Sequence, residues 1–322
     1  MKFSLTALES AAAVVHRTMA PTPLFAWPLL AARCGAEVWV KHENHGPIGA
    51  FKLRGGLVYM DDLKRRAPEV RGVICATRGN HGQSIGYAAR LNGLAATIVV
   101  PRGNSVEKNA AMRALGVELV EHGHDFQEAY EHALALAERD GLYAVRSFDP
   151  ALVRGVASYA LELFRGAPEL DTVYVPIGLG SGICGVIAAR DALALATKIV
   201  GVVAENAAAY ALSFAERRPV STNSADTLAD GLACRVPDAG ALEQIWRGAD
   251  RIVTVSEAEI RAAMRHYFSD THNVAEGAGA AALAALLKER ARMTGRRVGL
   301  VLSGGNVDRP LYARVLAETE EP

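Results

Sequence analysis

The chain has 322 residues, 50% of them hydrophobic and 22% charged, a length that fits two lobes or one large α/β unit with a substantial core. Its 35 basic side chains balance its 35 acidic ones, so no net field calls for nucleic acid, and a small molecule is the expected partner. No segment approaches the roughly 18 apolar residues of a membrane span. The N-terminal "MKFSLTALES" lacks an apolar core of signal-peptide length, so no membrane association and a cytoplasmic setting are expected.

Short apolar runs alternate along the chain with longer Ala- and Leu-rich helical segments. In order, the expected strands are "AEVWV" (36–40), "GVICA" (72–76), "ATIVV" (96–100), "VELVE" (117–121), "TVYVPI" (172–177), "KIVGVVA" (198–204) and "RVGLVLS" (297–303). This βαβα rhythm predicts an α/β fold of mostly parallel sheets covered by helices. Pro101 follows the strand 96–100, and beyond it Asn104 and Glu107 are expected to cap the helix "EKNAAMRALG". No linker or repeat divides the chain; the expected smaller lobe is 48–148, and the larger combines 1–47 with 149–322. Cys34, Cys75, Cys184 and Cys234 form no CxxC pair, which predicts buried free thiols rather than disulfides or a zinc site.

Four loops carry chemistry-bearing residues. In "PIGAFKLRGG" (47–56), Lys52 follows Phe51 at an expected helix start. A lysine with its usual pKa of about 10.4 costs roughly 4 kcal/mol to use as a neutral nucleophile or base at pH 7. A helix N-terminus contributes only about 0.3–1 kcal/mol toward that, so desolvation or a covalent imine must supply most of it. In "CATRGNHGQS", Thr77, Arg78, Gly79, Asn80 and His81 stand between a strand end and a helix, where open α/β sheets bind ligands, although Asn80 or His81 could simply cap the helix. In "PIGLGSGICG", Gly178, Gly180, Gly182 and Gly185, with Leu179 and Ser181 between them, permit a tight, side-chain-poor turn whose amides can converge on an anion. Residues 180–185 also match GxGxxG, and Glu205 lies about twenty residues beyond, so a dinucleotide, a lone phosphate group and a structural turn all remain open for that loop. Near the C-terminus, "LSGGN" brings Ser303 to a further polar turn.

Taken together, "VKHENHGPIGAFKLRGG", "RGNHGQS", "PIGLGSGICG", "TLADGLA" and "LSGGN" resemble, in order, the motifs of fold type II pyridoxal-phosphate enzymes, and within them the serine/threonine dehydratase and serine racemase group. The resemblance implies two lobes, a homodimer and pyridoxal 5'-phosphate as cofactor. It assigns Lys52 as the residue that holds the cofactor in an imine and then serves as base at the substrate's α carbon. Phe51 would wall the cofactor, residues 178–182 would hold its phosphate, Asn80 its ring hydroxyl and Ser303 its pyridine nitrogen. Thr77, Asn80 and His81 are the positions expected to take the substrate carboxylate.

A neutral serine hydroxyl opposite the ring nitrogen limits carbanion delocalisation and favours prompt loss of a β-leaving group. The expected activity is therefore dehydration of a β-hydroxy-α-amino acid such as threonine or serine, giving a 2-oxo acid and ammonia. Two departures bear on the substrate: Ala50 replaces the family's serine before Phe-Lys, and Arg78 replaces the second serine of the asparagine loop, the residue that works on the far face of the cofactor in racemases. A guanidinium is a poor acid/base, so racemisation is expected to be weak or absent, and a bulkier substrate such as phenylserine or 3-hydroxyaspartate stays open. Arg78 would clamp a carboxylate, bound a remodelled pocket or form a structural ion pair. "RGVAS" (154–158), standing where relatives carry A-G-Q-G-T, is read as a further sign of a changed pocket. Glu205 lacks a nearby second acid, so no metal is expected.

Overall fold

The structure is a computed structural model that describes residues 1–167 and 169–319. Its ten strands are β1 (Leu24–Ala26), β2 (Glu37–His42), β3 (Gly72–Ala76), β4 (Ala95–Val100), β5 (Glu118–Glu121), β6 (Tyr143–Ala144), β7 (Thr172–Pro176), β8 (Lys198–Ala204), β9 (Arg251–Val255) and β10 (Arg297–Leu302). The helices of the first half are α1 (Leu5–His16), α2 (Pro28–Cys34), α3 (Lys52–Arg66), α4 (Asn80–Leu91), α5 (Val106–Ala114), α6 (Phe126–Asp140) and α7 (Pro150–Gly166). Those of the second are α8 (Ser181–Ala192), α9 (Ala209–Glu216), α10 (Ala239–Gly248), α11 (Glu257–Thr271), α12 (Gly277–Lys288), α13 (Arg290–Met293) and α14 (Arg309–Ala317). Among the described residues no helix is long and apolar enough to cross a membrane.

The strands form two sheets. The larger runs β1-β2-β10-β7-β8-β9, parallel except for β1, which pairs antiparallel with β2; the smaller runs β5-β4-β3-β6 and is wholly parallel. Parallel strands are buried on both faces, which is why β3, β7 and β8 read as near-continuous apolar runs. Val38, Val40, Val200 and Leu300 pack on one side of the larger sheet with α12, while Val173, Val175, Ile199 and Val301 pack on the other with α7 and α8. In the smaller sheet Val73, Cys75 and Ile98 face α3 and α4, and Ile74, Ala76 and Val99 face α6.

All seven expected strands are present, and the structure adds β1, β6 and β9. The cap of α5 is shifted by one residue: Ser105 Oγ accepts the Lys108 N–H at 3.1 Å, while Asn104 Nδ2 donates to Asn109 Oδ1 at 2.8 Å. All four cysteines are buried and free.

An ionic cluster ties α3 to the larger sheet. The fully buried Arg54 donates through Nε to Glu43 Oε2 at 2.7 Å and through Nη1 to Glu162 Oε1 at 2.6 Å, and Lys41 Nζ reaches Glu162 Oε2 at 2.5 Å. Burial alone would push the Glu162 carboxyl up, but Arg54 and then Lys41 hold it down at about 2. Since Arg54 lies on α3, this cluster also anchors the helix that begins at Lys52.

Candidate active site

The loops that follow β3, β7 and β10 open at the carboxyl ends of their strands, the usual ligand-binding edge of a parallel sheet. They meet the start of α3 in one cavity of about 490 Å³. Every residue singled out in the sequence for a binding or catalytic role lines it: Phe51, Lys52, Thr77, Arg78, Asn80, His81, Gly178, Leu179, Gly180, Ser181, Gly182 and Ser303. Glu205, by contrast, is exposed and lies outside the lining, so nothing supports a ribose contact for the GxGxxG match.

Lys52 is the first residue of α3. Its Nζ donates to Ser181 Oγ at 3.2 Å and lies 5.2 Å from the centre of the Phe51 ring. The surrounding walls desolvate the ammonium and bring its pKa from 10.5 down to about 8. Desolvation is one of the two sources, beside a covalent imine, that a working lysine in this sequence requires. Phe51 is braced edge-on by Tyr159, and its amide donates to the Ser303 carbonyl at 3.0 Å, which joins the lysine segment to the end of β10.

The Ser181 end of α8 forms the second wall. Gly180 caps the helix at φ 99°, a left-handed conformation that strains any residue with a Cβ. At Gly178 a Cβ would come within 2.3 Å of the Gly231 carbonyl oxygen, so the loop is pressed close against "TLADGLA". Tyr210 fixes the turn by donating its hydroxyl to the Leu179 carbonyl at 2.9 Å. The first-turn amides of α8 have no intrahelical acceptor and suit an anion.

The third wall is the start of α4. Thr77 Oγ1 accepts the N–H of Gly79 at 2.9 Å and that of Gly82 at 3.3 Å, so Thr77 closes this turn and neither Asn80 nor His81 is the cap. Asn80 instead donates to Glu276 Oε1 at 2.6 Å and accepts from Asn306 Nδ2 at 2.9 Å. His81 is buried with Nε2 unpartnered; burial first, then the Lys52 charge, hold its imidazole down at about 3 and therefore neutral.

Two cavity residues were invisible in the sequence motifs. Lys108 on α5 reaches Asp230 at 2.7 Å and Glu276 at 2.9 Å, and Glu276 in turn holds Asn80. The available signals were a buried lysine in the first turn of a helix, where the dipole opposes a cation, and a lone Glu directly before the apolar α12.

Two sequence departures turn out to lie outside the cavity. Ala50 is buried and bridges to Gly304. "RGVAS" sits on α7, where Arg154 pairs with Asp62 and Ser158 accepts from Arg54, so this segment does not reshape the pocket as expected; α7 turns it toward α3.

These residues suit a phosphorylated pyridine aldehyde. There is a desolvated amine for the aldehyde, a helix start free of side-chain bulk for the phosphate, and the Ser303 hydroxyl, which has no hydrogen-bond partner among the described residues. Comparison with known proteins agrees. L-threonine ammonia-lyase of Thermotoga maritima is 35% identical over 94% of this chain and 74% of its own. The solved threonine deaminase isoform 2 of Solanum lycopersicum superposes with a TM-score of 0.89 at 31% identity, covering 99% of this chain and 95% of that one. Maize serine racemase superposes with a TM-score of 0.91 at 25% identity over 98% and 97% of the two chains. Residues 15–304 match the pyridoxal-phosphate dependent enzyme family, and the chain belongs to that family, with the fold type II architecture and pyridoxal 5'-phosphate as its cofactor.

Proposed function

We propose that the protein is an ammonia-lyase that dehydrates a β-hydroxy-α-amino acid, of the threonine or serine type, to a 2-oxo acid and ammonia. The observation that carries this reading is the placement of the desolvated Lys52 amine beside Ser181 in a cavity that ends, on its Ser303 side, in a neutral hydroxyl. Its similarity to the threonine ammonia-lyase of Thermotoga maritima and the threonine deaminase of Solanum lycopersicum supports the same reaction.

When bound, pyridoxal phosphate supplies an electron sink for negative charge at the substrate's α carbon. Lys52 would hold it covalently and, once released by the substrate amine, take the α proton at Nζ. The amides of Gly180, Ser181 and Gly182 would hold the phosphate, with Gly178 and Leu179 shaping the turn, while Phe51 walls the ring and Asn80 meets the ring hydroxyl. Ser303 would face the ring nitrogen; an aliphatic hydroxyl does not protonate a pyridine, so negative charge would remain near the α carbon, and the proton taken up at Lys52 Nζ would be available to the departing β-hydroxyl, which would leave as water. Thr77, Asn80 and His81 would position the substrate carboxylate. The released enamine then takes up water and yields the 2-oxo acid and ammonium, which balances the reaction.

Racemisation requires an acid/base on the opposite face, and a guanidinium, the group Arg78 offers there, is a poor replacement for a hydroxyl acid/base. A cytoplasmic homodimer is the setting implied by the family resemblance, and sedimentation of the holoenzyme tests the assembly. The reaction itself is tested by titrating the purified holoenzyme with threonine, serine, phenylserine and 3-hydroxyaspartate while following visible absorbance, 2-oxo acid and ammonia. Spectral change with product from at least one of them is expected; no product from any of them would exclude the lyase.

A further inference from the structure

The charged residues around the cavity are paired, with one exception on the substrate side. Asp125 meets Arg235 at 3.2 Å across the cavity mouth, and Asp230 and Glu276 share Lys108 at 2.7 and 2.9 Å. Lys52 is set aside for the cofactor. Arg78 lines the same cavity, is partly buried, and makes no hydrogen bond, ion pair or ring contact among the described residues. A guanidinium presents donors in a planar fork that matches a carboxylate, and removing it from water without a partner is unfavourable. No lining carboxylate is left over to satisfy it.

The substrate's α-carboxylate does not require Arg78. Thr77 Oγ1 accepts two amide protons and keeps its own hydroxyl proton to donate, and the α4 start adds the first-turn amides of Asn80 and His81. Resting on the lyase reading above, we propose that Arg78 binds a second carboxylate, so that the preferred substrate is a β-hydroxy-α-amino dicarboxylate, of which 3-hydroxyaspartate is the smallest. Arg78 is then the residue that decides specificity: it adds binding for a side-chain carboxylate and leaves an unpaired cation beside a methyl group or hydrogen. A charge-assisted fork of this kind corresponds to about a ten- to hundredfold preference.

The test has two readouts on the holoenzyme. The first needs no turnover: dissociation constants of succinate and of butyrate, which share a four-carbon length, are read from the cofactor's absorbance or fluorescence. Succinate is expected to bind at least about tenfold more tightly, and the ratio to collapse toward one in Arg78→Gln. Equal affinities in the unaltered protein overturn the proposal. The second readout is kcat/KM for 3-hydroxyaspartate relative to serine, expected to favour the diacid and to fall by at least about tenfold in Arg78→Gln, with Arg78→Lys recovering part of it. Equal losses on both substrates would place Arg78 on the α-carboxylate or the cofactor and overturn the proposal. If no β-hydroxy amino acid gives a 2-oxo acid while the succinate preference and its loss in Arg78→Gln persist, the lyase reading fails and the second-carboxylate site stands.

Discussion

Asn80 donates its side-chain N–H to Glu276 Oε1 across 2.6 Å, linking the first residue of α4 to the cap of α12, 196 positions away. Lys108 completes the link by bonding Glu276 Oε2 at 2.9 Å and Asp230 at 2.7 Å. Burial pushes the lysine pKa down, and the two carboxylates more than reverse it, so Lys108 is a charged member of the cluster.

Replacing Lys108 with Met leaves Glu276 and Asp230 facing each other without a cation. Breaking a buried pair in this way costs about 3–5 kcal/mol. Urea unfolding at pH 7 should show that loss, and Glu276→Gln, which keeps the shape and an acceptor for Asn80, should cost less than Lys108→Met.

Lys52→Ala removes the amine and its 3.2 Å hydrogen bond to Ser181, on a side chain that is only partly buried. Turnover should fall by about 10²–10⁴ or more while far-UV circular dichroism stays near that of the unaltered protein and the unfolding midpoint of the cofactor-free protein does not fall. Retained turnover would remove Lys52 from the role of base.

The Lys52 pKa of about 8 makes a separate prediction for the cofactor-free protein. Only the neutral amine attacks an aldehyde, so the rate of cofactor uptake should rise with pH and reach half its limit near 8 rather than near the ordinary lysine value of about 10.4. The sign for stability is the same. Between pH 8 and 10.5 the unfolded chain holds a proton that the folded chain has lost, so the contribution of Lys52 to the stability of the cofactor-free fold increases with pH across that window. Stopped-flow absorbance against pH checks the rate; a midpoint near 10 would show that the lysine is not desolvated.

Arg54→Met should be among the most damaging substitutions outside the cavity. It leaves the buried Glu43 and the partly buried Glu162, now 2.7 and 2.6 Å from the guanidinium, without it, and Lys41 and the His16 ring remain against Glu162. The expected cost is about 3–5 kcal/mol in denaturant unfolding. Because Arg54 anchors the helix that begins at Lys52, the affinity for pyridoxal phosphate should fall with it.

The parallel α/β architecture was legible because strands buried on both faces read as near-continuous apolar runs, and β3, β4, β7, β8 and β10 are buried at every position after the first. The loops after them were legible because turns that accept anions or approach a ligand closely need glycine and small polar residues in a local order. The missed strands lacked that signal: β6 has two residues, β1 is a three-residue edge, and β9 is only half-buried along most of its length. Local sequence also could not tell which way a side chain would turn, so "RGVAS" looked like pocket and proved to face α3, and Ala50 was spent on packing against Gly304. The sequence by itself determined the chemistry available, namely an amine at a helix start, a side-chain-poor anion turn and a neutral hydroxyl at a strand end. Tertiary structure decided which charges neutralise one another: Lys108 finds Glu276 across 168 positions, and Arg78 is left without a partner among the described residues, because pairing depends on distances between elements that no local pattern encodes.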